Sequence, residues 1–172
     1  MKKVVLIGYM GSGKSVVSEK LAKKIGFEYL ELDKLIEKKE NKSIAEVFKT
    51  KGELYFRKLE NQLFKEVLSN ESDIVISTGG GTPCYFNNHT LLNSEDCISI
   101  YLKASIKTLC NRLLNEKENR PLLSNLEPDE MKEFIAKHLF ERSYFYNQAT
   151  YKVVVDDKNI DEIVSEIEDK LL

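Results

Sequence analysis

Residues 3–15 read KVVLIGYMGSGKS, and the change of character at Gly8 decides how the rest of the chain is parsed. Lys3 to Ile7 is a nearly continuous β-branched and apolar run, the pattern of a parallel strand buried on both faces. Gly8 to Ser15, GYMGSGKS, matches G-x-x-x-x-G-K-[ST], with Gly8, Gly13, Lys14 and Ser15 at the fixed positions. Residues 15–25, SVVSEKLAKKI, then place Val16, Val17, Leu21 and Ile25 at helical spacing and stop at Gly26, a natural C-cap. A strand that leaves through such a loop into a helix is the context in which the motif holds phosphate.

The physical reason lies in the backbone. Successive N–H groups from Gly11 to Ser15 are expected to face one concavity at a helix N-terminus, where partial positive charge favours an anion. Glycines let the phosphates approach and accept unusual backbone angles. Gly11, Ser12, Gly13, Lys14, Ser15 and Val16 are therefore the expected nucleotide contacts. Lys14 supplies a point charge for the β and γ oxygens, and the Ser15 hydroxyl a ligand for Mg²⁺. The competing reading, a plain glycine turn, explains neither the lysine nor the hydroxyl.

Outward from this loop, strands and helices alternate. FEYLEL (27–32), DIVISTGGG (73–81), CISIYL (97–102) and YKVVVD (151–156) read as four further strands. Residues 33–68 are helical in character, with breaks near Asn41 to Ser43 and near Gly52. Residues 105–116 and 130–149 are also helical, separated by the polar loop KENRPLLSNLEPD, and the final segment carries Ile160, Ile163, Val164, Ile167 and Leu171 on one face. The alternation predicts an α/β fold with a five-stranded parallel sheet covered on both sides. At 172 residues, without repeats or a linker, one domain is expected.

Composition narrows the function classes. Twenty-six basic against 28 acidic residues give a formal net charge of −2, which argues against a protein that coats nucleic acid or a polybasic membrane-surface protein. Cys84, Cys97 and Cys110 are odd in number and widely spaced, as expected of reduced thiols in a cytoplasmic protein rather than of disulfides or a zinc site. The lysines and apolar run of MKKVVLIG end at Gly8 with Lys14 following, so no export segment forms.

A phosphate loop specifies a nucleotide, not a reaction. A switch GTPase would carry N-K-x-D after a late strand; the NKSI at Asn41 falls too early and lacks the Asp. A mechanical ATPase would show an apolar run ending in acidic residues, where this chain has DIVIS followed by TGGG. Kinases of metabolites or nucleotides remain. The acceptor should be read by the segment after the second strand, where Asp33 stands at a strand's carboxyl end, the usual place for ligands in open α/β sheets. Asp33 is equally well suited to cap the helix that follows, a role worth about 0.5–2 kcal/mol.

At this point a resemblance becomes specific. GYMGSGKS, ELD, GELYFRKLE, STGGGT, NRPLL and ERSYFYNQA occur in the order and approximate spacing of the shikimate kinase family, over essentially the whole chain. The resemblance implies a three-layer P-loop kinase fold, with an acceptor-binding helical segment at about residues 33–61 and a lid at about 116–127. It implies transfer of the γ-phosphoryl group of ATP, with Mg²⁺, to the 3-hydroxyl of shikimate by a cytoplasmic monomer with no nucleic-acid or membrane partner. A kinase of another small metabolite, such as gluconate, and a non-catalytic nucleotide-binding module are the alternatives.

The roles it implies are chemically coherent. Arg57 and Arg142 offer planar forks for the shikimate carboxylate. On its own, Arg57 also fits a solvated i,i+3 pair with Glu60, and Arg142 an ordinary surface arginine. Asp33 would orient the attacking hydroxyl and take its proton. Gly79, Gly80 and Gly81 would bring bare backbone against the acceptor. Arg120, in the lid, would stabilise the migrating phosphoryl group, and Arg112 would stack on adenine. Glu31 stands where the family usually has Asp; it keeps the charge that supports Mg²⁺ through water but reaches one methylene further, with Ser77 a further candidate for that shell. Phe48 and Phe56 suit either a wall of the acceptor pocket or the core, and His89 and His138 are read as surface or structural.

Overall fold

The computed structural model describes residues 2–116 and 123–172. Strand β1 (Lys3–Ile7) leads into helix α1 (Lys14–Ile25), and β2 (Glu28–Glu31) into α2 (Leu32–Glu40), α3 (Ile44–Lys51) and α4 (Glu53–Leu68). Strand β3 (Ile74–Ser77) is followed by a 3₁₀ turn (Thr82–Cys84) and the single turn α5 (Asn88–Leu91). Strand β4 (Cys97–Lys103), α6 (Ile106–Leu114), α7 (Pro128–Tyr146), β5 (Tyr151–Val154) and α8 (Ile160–Leu171) complete the order.

The five strands form one parallel sheet in the order β2-β3-β1-β4-β5, flanked by helices. Strand β1 is central, with Val5 opposite Ile76 of β3 on one side and Ser99 of β4 on the other. All five of its residues are buried, which is why its sequence shows no polar alternation. Because every strand runs the same way, the loops at their carboxyl ends gather on one edge of the sheet. The loop after β1 sits between those after β3 and β4, at the switch point where such sheets bind ligands.

The helix breaks follow local chemistry. Asn41 ends α2 in the left-handed conformation, and Ser43 starts α3 with a capping box in which its hydroxyl accepts from the Glu46 N–H and the Glu46 carboxylate accepts from the Ser43 N–H. Gly52, at φ 82°, joins α3 to α4. Two expectations change. Leu32 belongs to α2 rather than to β2, and Glu31 occupies the N-cap, so Asp33 stands in the first turn and does not cap the helix. Val16 is not a core residue: Val17, Leu21 and Ala22 make the buried face of α1, while Val16 is 54% exposed at the cleft.

The core spans both faces of the sheet, with Leu6, Ile7, Ile76, Ile100 and Leu102 fully buried. Replacing Leu6, which is enclosed by both neighbouring strands, with Ala is expected to lower stability by about 2–5 kcal/mol at an unchanged urea m-value. Equilibrium unfolding measures it.

Candidate active site

A cleft of about 650 Å³ opens at the carboxyl edge of the sheet. The phosphate loop, Glu31, Asp33, Thr78, Gly79 and Gly80 line one part, and Arg112, Glu116 and residues 158–160 the other. Gly8, Gly11 and Gly13 all have positive φ, at 149°, 81° and 95°, so the loop's path depends on its glycines. At Gly8 a Cβ would also meet Leu102 O at 2.8 Å, which rules out a side chain there.

Within the loop, Lys14 Nζ donates to Gly8 O at 2.8 Å and Tyr9 O at 3.0 Å. The Ser12 N–H closes a turn onto Tyr9 O at 3.2 Å, so it is used inside the loop rather than pointed outward as expected from the motif. The buried Ser12 hydroxyl has no hydrogen-bond partner among the described residues. Helix α1 starts at Lys14 with Gly13 as an N-cap that supplies no side-chain acceptor, which leaves its first-turn N–H groups to an incoming anion. Arg112 Nη1 donates to Gly11 O at 3.1 Å, bringing its cation to the loop's edge.

Beside the loop lies a pair of oxygen donors. Ser15 Oγ donates to Glu31 Oε1 at 3.3 Å, and Tyr29 OH to Glu31 Oε2 at 3.2 Å. Burial, with the Glu31 carboxylate nearby, pushes the Tyr29 hydroxyl up to about 12 and keeps it a donor. A hydroxyl and a carboxylate are the hard ligands that Mg²⁺ takes when substrate phosphates and water complete its shell. The longer glutamate at this position therefore still reaches Ser15.

The glycine triplet organises the other half of the site. None of Gly79, Gly80 or Gly81 has positive φ; what they lack is room. A Cβ on Gly79 would lie 3.2 Å from Asp33 Oδ1, one on Gly80 3.2 Å from Arg142 Nη1, and one on Gly81 2.6 Å from Arg57 Nη2. Three residues far apart in the chain thus converge on three consecutive glycines.

Arg57 is far from solvated, at 8% exposed. Its Nη1 donates to Glu60 Oε2 at 2.9 Å, and Glu60 is 0% exposed. The expected i,i+3 pair exists, but as a buried one; Glu60 also accepts from Thr82 Oγ1 at 2.6 Å. Arg57 Nε is buried with no hydrogen-bond partner among the described residues, its nearest carboxylate being Glu53 Oε1 at 3.7 Å, and the Tyr85 ring covers the guanidinium at 4.1 Å. Such a half-used fork is poised for another acceptor. Arg142 is likewise drawn in, with its Cζ 5.6 Å from the centre of the Tyr9 ring. Phe48 and Phe56 pack on each other with ring centres 4.5 Å apart; Phe56 is buried in the core, while Phe48 is partly buried against it.

Burial pushes the Asp33 carboxyl up to about 6, with Glu60 and Glu31 adding to the rise and Lys14 and Arg57 opposing it. Arg120 and most of the KENRPLLS stretch lie outside the described residues, so its position relative to this cluster is not part of the geometry. Tyr9 and Tyr85 are site residues that the sequence left unassigned, and Glu60 was expected only as a solvated partner of Arg57. Only GELYFRKLE, in which Arg57 and Glu60 share a helix face, carried a signal for one of them.

Comparison with known proteins gives a consistent picture. The shikimate kinase family model matches residues 10–172. A shikimate kinase from Flavobacterium johnsoniae is 54% identical over 171 residues, 99% of each chain. The crystal structure of a shikimate kinase from Bacteroides thetaiotaomicron superposes with a TM-score of 0.91 at 34% identity, covering 99% of this chain and 98% of that one. The structure of the Acinetobacter baumannii shikimate kinase in complex with shikimate gives 0.87 at 29% identity, with coverages of 99% and 93%.

The raised Asp33 carboxyl has a stability consequence. A carboxyl that titrates near 6 when folded and near 3.8 when unfolded binds more protons in the folded state between those values, so its cost to the fold is absent below about pH 4 and fully present above about pH 6. Asp33→Asn is expected to stabilise the ligand-free protein by on the order of 1–3 kcal/mol at pH 7.5, with the gain disappearing toward pH 4. Thermal melts of both proteins across that range measure the difference.

Proposed function

This chain belongs to the shikimate kinase family, and from that premise we propose how its cleft moves the γ-phosphoryl group of ATP to the 3-hydroxyl of shikimate. The observation that carries the assignment of residues is the convergence of Asp33, Arg57 and Arg142 on Gly79 to Gly81, beside the phosphate loop. One half of the cleft has cations, glycine backbone and first-turn N–H groups for a polyphosphate. The other has the buried Arg57 and half-buried Arg142 guanidinium groups for one carboxylate and a carboxyl for a hydroxyl.

In this reading Gly11 to Val16 hold the phosphates, with Lys14 on the β and γ oxygens and Arg112 against the adenine. Ser15, and Glu31 through water, would hold Mg²⁺, whose chemistry is to neutralise charge on the β and γ phosphates. Arg57 and Arg142 pair with the shikimate carboxylate. That fixes the ring so that its 3-hydroxyl faces Asp33 in line with the phosphoryl group. The hydroxyl oxygen bonds to the γ-phosphorus, the bond to the β–γ bridging oxygen breaks, and ADP leaves. The hydroxyl proton passes to Asp33, whose raised affinity for a proton suits a base working near neutral pH. Arg120 stabilises the charge on the transferring group. We assign residues 33–61 to acceptor binding and 116–127 to the lid of a single domain, acting as a cytoplasmic monomer.

ADP release with shikimate, gluconate and nucleoside monophosphates as acceptors tests the whole: stimulation by shikimate alone is expected, and stimulation by another acceptor in its place refutes the acceptor assignment. Asp33→Asn should abolish turnover while ADP still binds, read by calorimetry. In the wild type, kcat/KM for shikimate should fall about tenfold per pH unit below about 6 as Asp33 is protonated. Arg142→Lys should raise the shikimate KM about tenfold or more and leave the ATP KM near its original value, because a bidentate fork becomes a point charge.

A further inference from the structure

Tyr9 occupies a variable position of the phosphate-loop motif, yet its side chain is 1% exposed and is held from several directions. Its hydroxyl lies 3.0 Å from His138 Nδ1 on α7. Its ring lies beneath Arg142, with the guanidinium carbon 5.6 Å from the ring centre, and its carbonyl accepts from Lys14 Nζ. His138, Arg142 and Tyr146 are spaced by four residues and so share one face of α7. At the far end of that face Tyr146 OH donates to Gly80 O at 2.6 Å. Arg142 therefore stands between two ties, one to the phosphate loop and one to the glycine triplet.

The state of the histidine suits this arrangement. Burial, followed by the charge of Arg142, holds His138 below the ordinary imidazole range; Lys137 adds to that effect and Glu141 opposes it. At neutral pH the ring is uncharged, and in the tautomer with its proton on Nε2 the Tyr9 hydroxyl donates to Nδ1. Phe134, one turn earlier on α7, packs on the same imidazole at 4.7 Å and limits its rotation.

We propose that Tyr9 and His138 are a positioning pair that fixes where the Arg142 guanidinium meets the acceptor carboxylate. The proposal rests on the assignment of Arg142 made above. A flexible arginine loses affinity when its fork can wander, because ordering it then falls to the bound substrate. Here the phenol ring is the platform under the fork, and the hydrogen bond to His138 stops that platform from tilting. The pair acts on the acceptor through Arg142.

Steady-state kinetics of His138→Leu, His138→Asn and Tyr9→Phe, alone and combined with Arg142→Lys, test the pair, with melting temperatures measured alongside. Removing the acceptor in His138→Leu, or the donor in Tyr9→Phe, should raise the shikimate KM about fivefold and leave kcat and the ATP KM within about twofold. The Asn carboxamide oxygen takes the place of Nδ1, so His138→Asn should behave as the wild type. In the Arg142→Lys background neither His138→Leu nor Tyr9→Phe should raise the shikimate KM further, since there is no fork left to position. An unchanged shikimate KM in both His138→Leu and Tyr9→Phe overturns the proposal. So does a parallel rise in both KM values, which marks a general packing role. If Arg142→Lys itself leaves the shikimate KM unchanged, the assignment of Arg142 falls, and the pair with it. If Arg142→Lys responds while both pair variants are silent, only the pair is lost.

Discussion

Two guanidinium groups and a carboxylate lie against three residues that have no side chains, and the acceptor half of the cleft follows from that contact. With a Cβ on Gly81 only 2.6 Å from Arg57 Nη2, the cation could not stay where Glu60 and Tyr85 hold it. The same backbone segment meets Arg142 at Gly80 and Asp33 at Gly79. These residues come from α4, α7 and α2, elements joined by long stretches of chain, and their meeting point is the turn after β3. The triplet is thus a thin stretch of backbone against which all three side chains lie.

The charges gathered there are costly to the fold. Glu60 is fully buried with Arg57, and the Asp33 carboxyl is held near 6 by burial and by its acidic neighbours. A buried ion pair seldom stabilises relative to apolar packing of the same volume, because desolvation cancels most of the attraction. Such an arrangement is retained for what it holds in place. Arg57 keeps Nη1 on Glu60, while Nε makes no hydrogen bond among the described residues and has only the Glu53 carboxylate at 3.7 Å, which leaves binding capacity for a ligand oxygen. The energy withheld from folding is available to substrate binding.

The sheet supplies the frame. Strand β1 lies between β3 and β4, so the phosphate loop has the glycine triplet on one side and the last turn of α6, with Arg112, on the other. Helix α7 then crosses back, tied to the loop through His138 and to the triplet through Tyr146. Donor and acceptor halves are neighbours because parallel strands put all their carboxyl-end loops on one edge.

Much of this was legible in the chain. The buried run of β1, the glycine loop and the helix after it follow from periodicity and motif, because the groups involved are close in sequence and their chemistry is local. The breaks at Asn41 to Ser43 and at Gly52 were legible for the same reason, as turn and cap residues act within a few positions. Strand ends were less so: Leu32 looked like the end of β2, but hydrogen bonding starts α2 there with Glu31 at the N-cap, which removes the capping role for Asp33. Val16 matched the helical spacing of its apolar neighbours and still faces the cleft, since spacing alone does not say which side of a helix meets the sheet. What the sequence determined by itself was the phosphate loop, the alternating α/β order and, through the linear order of its motifs, the family. Only the tertiary structure decided that Arg57 and Glu60 form a buried pair rather than a solvated one, that the triplet's glycines are required by space rather than backbone angle, and that Tyr9 and His138 meet. Those are contacts between residues as many as 129 positions apart, and burial and distance arise only when the sheet brings them together.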